Sequence, residues 1–204
     1  MALKIFVARH GQNVDNAHGI LNGRRDLPLT DVGRGQALDM AQAMLDAGMH
    51  FDAVYSSPLE RAYETAQTVC DTLGMQHGPI IIEDLIEREF GVMTGKPQSD
   101  IVKMCAPDII ETDTVTYFLQ PEGAETFPEL MKRAERALKT VRDMQPDGTA
   151  LLVCHGDLGK MLYAAETKQK WQYVLRNFHF GNGELIELDP DGTTKLIELE
   201  QHNL

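Results

Sequence analysis

The 204-residue chain reads as an α/β protein. The expected form is a three-layer sandwich: a largely parallel sheet flanked by helices, with an antiparallel edge and a loop-rich lid insertion. Three observations predict it. Short apolar runs alternate with longer amphipathic stretches along most of the chain. Two of those runs stop at a histidine followed by glycine, His10-Gly11 and His155-Gly156, at the strand ends where open α/β sheets place ligands. The last two runs, Glu184–Leu188 and Lys195–Leu199, flank Pro190-Asp191-Gly192, the pattern of an antiparallel hairpin. A single domain over 1–204 accommodates them, with the lid at about 92–127.

Taken in order, Ile5-Phe6-Val7-Ala8 is a buried-strand run that ends at Arg9-His10-Gly11. Glycine at position 11 removes a side chain where a substrate would approach the backbone. Gly19, Gly23 and Pro28 predict a loop, which carries Arg24 and Arg25. Thr30 is an N-cap for a helix running to about Ala47, and Asp31 suits its dipole. Ala37, Met40, Ala41, Met44 and Leu45 share one face, and Gly48 is the C′ residue. Phe51 to Tyr55 gives a second strand. Ser57 reads as the next N-cap and Pro58 as the first helical residue, in a helix that runs through Val69 and Leu73 to Gly74. Arg61 then lies in the first turn, where free amides and the dipole favour an anion.

Pro79 to Ile82 is a third strand and leads into the acid-rich segment from Glu83 to Gly91. From Val92 to Phe127 the pattern is irregular, with a short helix around Ser99–Cys105; an insertion of this kind in a compact domain is usually functional, often a lid. Glu125 to about Met144 is a long amphipathic helix. Thr149–Cys154 is the most apolar strand, hence central. It stops at His155-Gly156-Asp157, and a helix follows through Met161, Leu162 and Ala165.

Composition narrows the function. A formal charge of −12 argues against non-specific binding to nucleic acid or to an anionic membrane. It leaves room for an anionic small substrate, because a few arginines set the field of a pocket. Cys70, Cys105 and Cys154 show no CxxC spacing, which argues against a disulfide framework or zinc site and for a reducing cytoplasm. MALKIFVARH has no long apolar segment of a signal peptide, and no run approaches the ~20 residues of a membrane span. His18, His50, His77 and His202 read as exposed histidines, and Cys154 as buried filler. Oligomeric state is not legible.

The motifs together resemble the histidine phosphatase superfamily, in its phosphoglycerate-mutase-like branch. Arg9-His10-Gly11 resembles the family's namesake motif. Asn16 falls where the family has a phosphate-contacting asparagine. Ser56-Ser57-Pro58-Leu59-Glu60-Arg61-Ala62 is the most specific match. Leu85-Ile86-Glu87, with Gly91 and Gly95, resembles the block that carries the family's acid. Glu125-Thr126 with Arg133 resembles the helix after the lid, and Val153-Cys154-His155-Gly156 the second histidine motif. Gln12-Asn13, Asp157 and the segment from His179 to Asn182 depart from the pattern.

The chemistry expected of these groups is phosphoryl transfer. A neutral imidazole is a competent nucleophile, assigned to His10, and gives a phosphohistidine. Arg9 and Arg61 would grip phosphate oxygens and disfavour protonation of His10. His155, Asn16 and the backbone at Gly156 would add donors to the phosphate. Glu87 would protonate the leaving alkoxide and then deprotonate water, with Glu89 as its rival. Cofactors and metals are expected to be none, since the cations do the work of a metal and the resemblance implies the same. The partner would be a small phosphorylated substrate, chosen by the lid, where Lys96, Lys103, Tyr117 and Phe118 are candidates. Hydrolysis is the first expectation. A cofactor-dependent phosphoglycerate mutase is the alternative, and a non-catalytic phospholigand-binding module is the alternative of another class. The lid from Gly95 to Glu125 has only Lys96 and Lys103 as cations against six acids, which disfavours a second phosphate.

Overall fold

The computed structural model describes residues 3–189. Its main sheet has five strands in the order β3-β2-β6-β1-β7. These are β1 (Lys4–Arg9), β2 (Ala53–Ser56), β3 (Ile80–Ile81), β6 (Thr149–Cys154) and β7 (Leu185–Leu188). β6 is the middle strand and pairs in parallel with β1 and β2. Its apolar run follows from that position, since both faces are covered. β7 pairs antiparallel with β1 and forms the antiparallel edge. The second predicted hairpin strand, Lys195–Leu199, lies outside the described residues, as do Pro190-Asp191-Gly192 and His202.

Strand alternation feeds two cores. On one face Phe6, Ala8, Val54, Leu151 and Val153 pack against α2 (Asp31–Asp46) and α3 (Glu60–Thr72). On the other, Ile5, Val7, Leu152 and Cys154 pack against α5 (Phe127–Met144), α6 (Gly156–Glu166) and α7 (Trp171–Asn177). A single turn, α1 (Val14–Ala17), follows β1. The helices thus form the two outer layers of a three-layer α/β sandwich.

Three readings of the sequence are corrected. Leu45 is exposed: the buried stripe of α2 runs Gly33, Ala37, Met40, Ala41 and Met44, and Leu45 turns off it. α3 starts at Glu60 with Leu59 as its N-cap, so Ser57 is not the cap. Asp26, from the preceding loop, accepts the Glu60 N–H instead, at 2.7 Å. The lid holds the short helix expected around Ser99–Cys105, as α4 (Ile101–Cys105), but the rest of its irregular pattern conceals a hairpin of β4 (Ile109–Glu111) and β5 (Thr116–Phe118). Ile101 and Phe118 bury with Leu21, Phe90 and Met93 in a third small core that roots the lid on the body.

Candidate active site

Parallel pairing of β1 with β6 aligns Arg9 with Cys154, so both strands release their histidines at the same sheet edge. The His10 and His155 ring centroids are 5.1 Å apart. β2 ends at that edge too, and its continuation through Ser57 into α3 delivers Arg61. Arg9, His10, Asn16, Arg61, Glu87 and Gly156 line one cavity of about 230 Å³. Tyr117 and Phe118 of the lid line it as well. Lys96 and Lys103 are exposed and are not among the lining residues. His155 is fully buried behind His10 and does not line the cavity.

The hydrogen bonds of His10 determine its tautomer. Nδ1–H donates to Gly11 O at 2.6 Å, while Nε2 accepts from Arg61 Nε–H at 3.2 Å. The lone pair therefore sits on Nε2. Burial, then Arg61 and Arg9, hold the imidazole well below its usual pKa, so the ring is neutral near pH 7. Arg61 is anchored on the carbonyls of Arg25 and Gly23. Burial lowers its own pKa only to about 10, so it stays charged.

Arg9 donates through NH1 to Phe180 O at 2.7 Å, but its Nε is buried without a partner among the described residues. His155 is similar. Ser57 Oγ accepts the Leu59 N–H and lies 2.7 Å from His155 Nε2. With the serine donating, the ring proton sits on Nδ1, which is buried and unpartnered among the described residues. Burial, with Arg61, His10 and Arg9 beside it, also holds His155 well below the usual histidine pKa.

Glu87 is 6% exposed. Its carboxyl accepts N–H groups from Arg88 (2.8 Å), Leu158 (3.2 Å) and Asp157 (3.3 Å). Burial, then the nearby Asp157, raise its pKa. Two amides from the first turn of α6, those of Asp157 and Leu158, are thus directed at the acid, while Gly156 lines the cavity. Arg24 and Arg133 fix the segment by donating to Glu87 O. Glu89, the rival acid, faces Arg24 and is not among the cavity residues.

Two glycines differ in purpose. A Cβ on Gly11 would lie 2.1 Å from Gly33 O, so this glycine lets the His10 loop pack on α2; the substrate-approach reading is replaced. A Cβ on Gly156 would sit 3.3 Å from Arg9 Cζ, so there the missing side chain does make room at the site.

Sequence reasoning missed several groups. Asn182 Nδ2–H donates to His10 O at 2.9 Å and to Asn16 Oδ1 at 3.3 Å, which leaves the Asn16 amide N–H groups for the cavity. Lys160 was missed too; it lines the cavity together with Arg88, the basic residue beside the acid that the sequence already offers. The i,i+4 spacing of Gly156 and Lys160 on one helix face was the available signal for Lys160. None existed for Asn182.

Strand ends of a largely parallel sheet that bring Arg9, His10 and Arg61 to one small cavity define an α/β protein with a site suited to an anion. The family model of the histidine phosphatase superfamily (branch 1) matches residues 5–202, and this chain belongs to that family. It is similar to proteins named 2,3-bisphosphoglycerate-dependent phosphoglycerate mutase. The one from Parvibaculum lavamentivorans is 31% identical over 209 residues, covering 97% of this chain and 98% of the relative. The one from Mesorhizobium japonicum is 27% identical over 205 residues, covering 98% of each. Among solved structures, a mycobacterial glucosyl-3-phosphoglycerate phosphatase in complex with VO3 superposes with a TM-score of 0.78 at 25% identity. That match covers 91% of this chain and 92% of the other. Among the described residues, no helix is long and apolar enough to cross a membrane.

Proposed function

We propose that this chain is a metal-independent phosphatase of small phosphate monoesters, acting through a phosphohistidine on His10. One observation supports the reading most. Arg9 Nε is a buried donor without an acceptor among the described residues, and its side chain lines the same cavity as a neutral imidazole whose lone pair lies on Nε2, held by Arg61 Nε–H at 3.2 Å. Buried unsatisfied donors are rare, and an oxygen of a phosphoryl group in this cavity would satisfy it.

In this mechanism Nε2 attacks phosphorus and the bond to the ester oxygen breaks. Glu87, whose pKa burial and Asp157 raise toward that of a useful proton donor, gives a proton to that oxygen. The resulting carboxylate then takes a proton from water as the hydroxide attacks phosphohistidine, releasing phosphate and restoring His10. Arg9, Arg61, Asn16 and His155 hold the equatorial oxygens throughout.

The mutase relatives favour a second reading. Against it, the lid places no cationic side chain among the cavity residues. The deciding experiment incubates the protein with 3-phosphoglycerate and catalytic 2,3-bisphosphoglycerate, with an acid quench and peptide mass spectrometry. Free phosphate and a phosphorylated His10 peptide are expected. Rapid conversion to 2-phosphoglycerate with little phosphate released rejects hydrolysis in favour of the mutase. Phosphate on Cys154 or Ser57 overturns the mechanism. No turnover even of an aryl phosphate leaves the non-catalytic binding module.

A further inference from the structure

Beyond the groups assigned to phosphoryl transfer, the cavity presents two more cations, Arg88 and Lys160, and one acid, Asp157. The two cations are not equivalent. Arg88 is 1% exposed and donates through Nε to Asp157 Oδ2 at 2.8 Å and through NH1 to Glu125 O at 3.2 Å. The rings of Phe90, Phe118 and Phe127 surround its guanidinium, with centroids 5.0, 4.3 and 4.4 Å away. Its charge is matched and its faces are covered, so it has little to offer a ligand.

Lys160 is the opposite case. It projects from the second turn of α6, is 4% exposed, and still lines the cavity. Its ammonium lies over the Tyr117 ring, 5.6 Å from the centroid, and has no hydrogen-bond or ion-pair partner among the described residues. A buried lysine without a partner is costly. One that opens onto a ligand cavity is a place for an acceptor. Burial lowers its pKa to about 8, opposed by Asp157 and then, after Arg9 has added to the lowering, by Glu87 and Glu184, so it is mostly charged at neutral pH and easily neutralised above it.

We infer that Lys160 determines substrate choice: its ammonium receives a carboxylate carried on the leaving group, so the preferred substrates are phosphorylated acids rather than phosphorylated neutral alcohols. The inference deepens the phosphatase reading and rests on its placement of the phosphoryl group at His10. Charge selects the carboxylate. With Arg88 matched by Asp157, one positive charge remains for the leaving group. A second phosphate would bring up to two negative charges and meet Asp157 on the same wall. A neutral hydroxyl would leave the ammonium charge unmatched. The small cavity fits a leaving group of a few carbons.

The test compares 3-phosphoglycerate with glycerol 3-phosphate, which differ by a carboxylate in place of a hydroxymethyl group. Affinities are measured by calorimetry on His10→Ala, which cannot take the phosphoryl group. The carboxylate ligand is expected to bind about 10- to 100-fold more tightly, the size of a charge-assisted hydrogen bond. Adding Lys160→Met or Lys160→Gln should remove that preference; using both guards against one failing to fold. Raising the pH through about 8 should shrink the preference in the Lys160 protein, as the ammonium loses its proton. Equal affinity for the two ligands, equal loss from both on neutralising Lys160, or binding of neither overturns the inference. Binding needs no turnover, so a wild type that fails to hydrolyse either ester would remove the phosphatase reading and leave this test standing.

Discussion

The carboxyl of Glu87 is pulled in two directions. Three backbone N–H groups and Arg61 favour its charged form, while burial and Asp157 disfavour it, and the second pair wins. A raised pKa suits a carboxyl to giving a proton to a poor leaving group. Glu87→Gln is therefore expected to slow alkyl phosphates by about 10²- to 10⁴-fold and aryl phosphates far less, because an aryl oxide leaves without help. Comparing kcat/KM on the two ester types checks this, and equal losses would remove Glu87 from the acid's role. At this scale the motifs were legible, because Arg9, His10, Arg61 and Glu87 sit in short runs whose spacing is local. The partners that orient them were not. Asn182 reaches His10 across 172 positions, and nothing in a polar loop announces such a contact. Serine before a helix is usually its cap, and Ser57 invites that reading. Here its hydroxyl faces His155, and Asp26 accepts the helix amide in its place.

Among the elements, the junction between β1 and α2 is the tightest. Gly11 and Gly33 meet backbone to backbone: a Cβ on Gly11 would lie 2.1 Å from Gly33 O, and one on Gly33 would lie 1.9 Å from Gln12 O. Gly11→Ala must push the two elements apart. It is expected to destabilise the fold by about 1–3 kcal/mol, as overpacking does, and to lower activity by displacing His10. Urea denaturation together with an aryl phosphate assay checks both; an unchanged midpoint would mean that the junction yields freely. The sequence made β1, β6, α2 and α5 readable, since each is long or strongly patterned. It hid β4 and β5 because three-residue strands carry too little alternation to stand out. α7 escaped for a related reason. Seven residues are too few for a clear period, and the helix is held by tertiary contacts such as Trp171 stacked on Phe127, with centroids 5.3 Å apart.

For the molecule as a whole, charge is divided between outside and inside. The chain carries −12, yet its cavity gathers Arg9, Arg61, Arg88 and Lys160. If those side chains supply the charge that neutralises a phosphoryl transition state, chelators such as EDTA should leave turnover unchanged. Activity lost to a chelator and restored by one divalent ion would show that the protein's own charges do not suffice. The sheet order has a further consequence, in time rather than in space. β7 is the last described strand, and it lies beside β1, the first of the described strands to be synthesised. The turn before it supplies Phe180 O to Arg9 and Asn182 to His10. A nascent chain that has not yet released residues 180–188 from the ribosome has its Arg9-His10-Gly11 motif unsupported, however long that motif has been outside. Competence should therefore arrive late and all at once, when the end of this pairing emerges. Arrested chains of increasing length would show a step in aryl phosphate turnover there and no gradual rise before it.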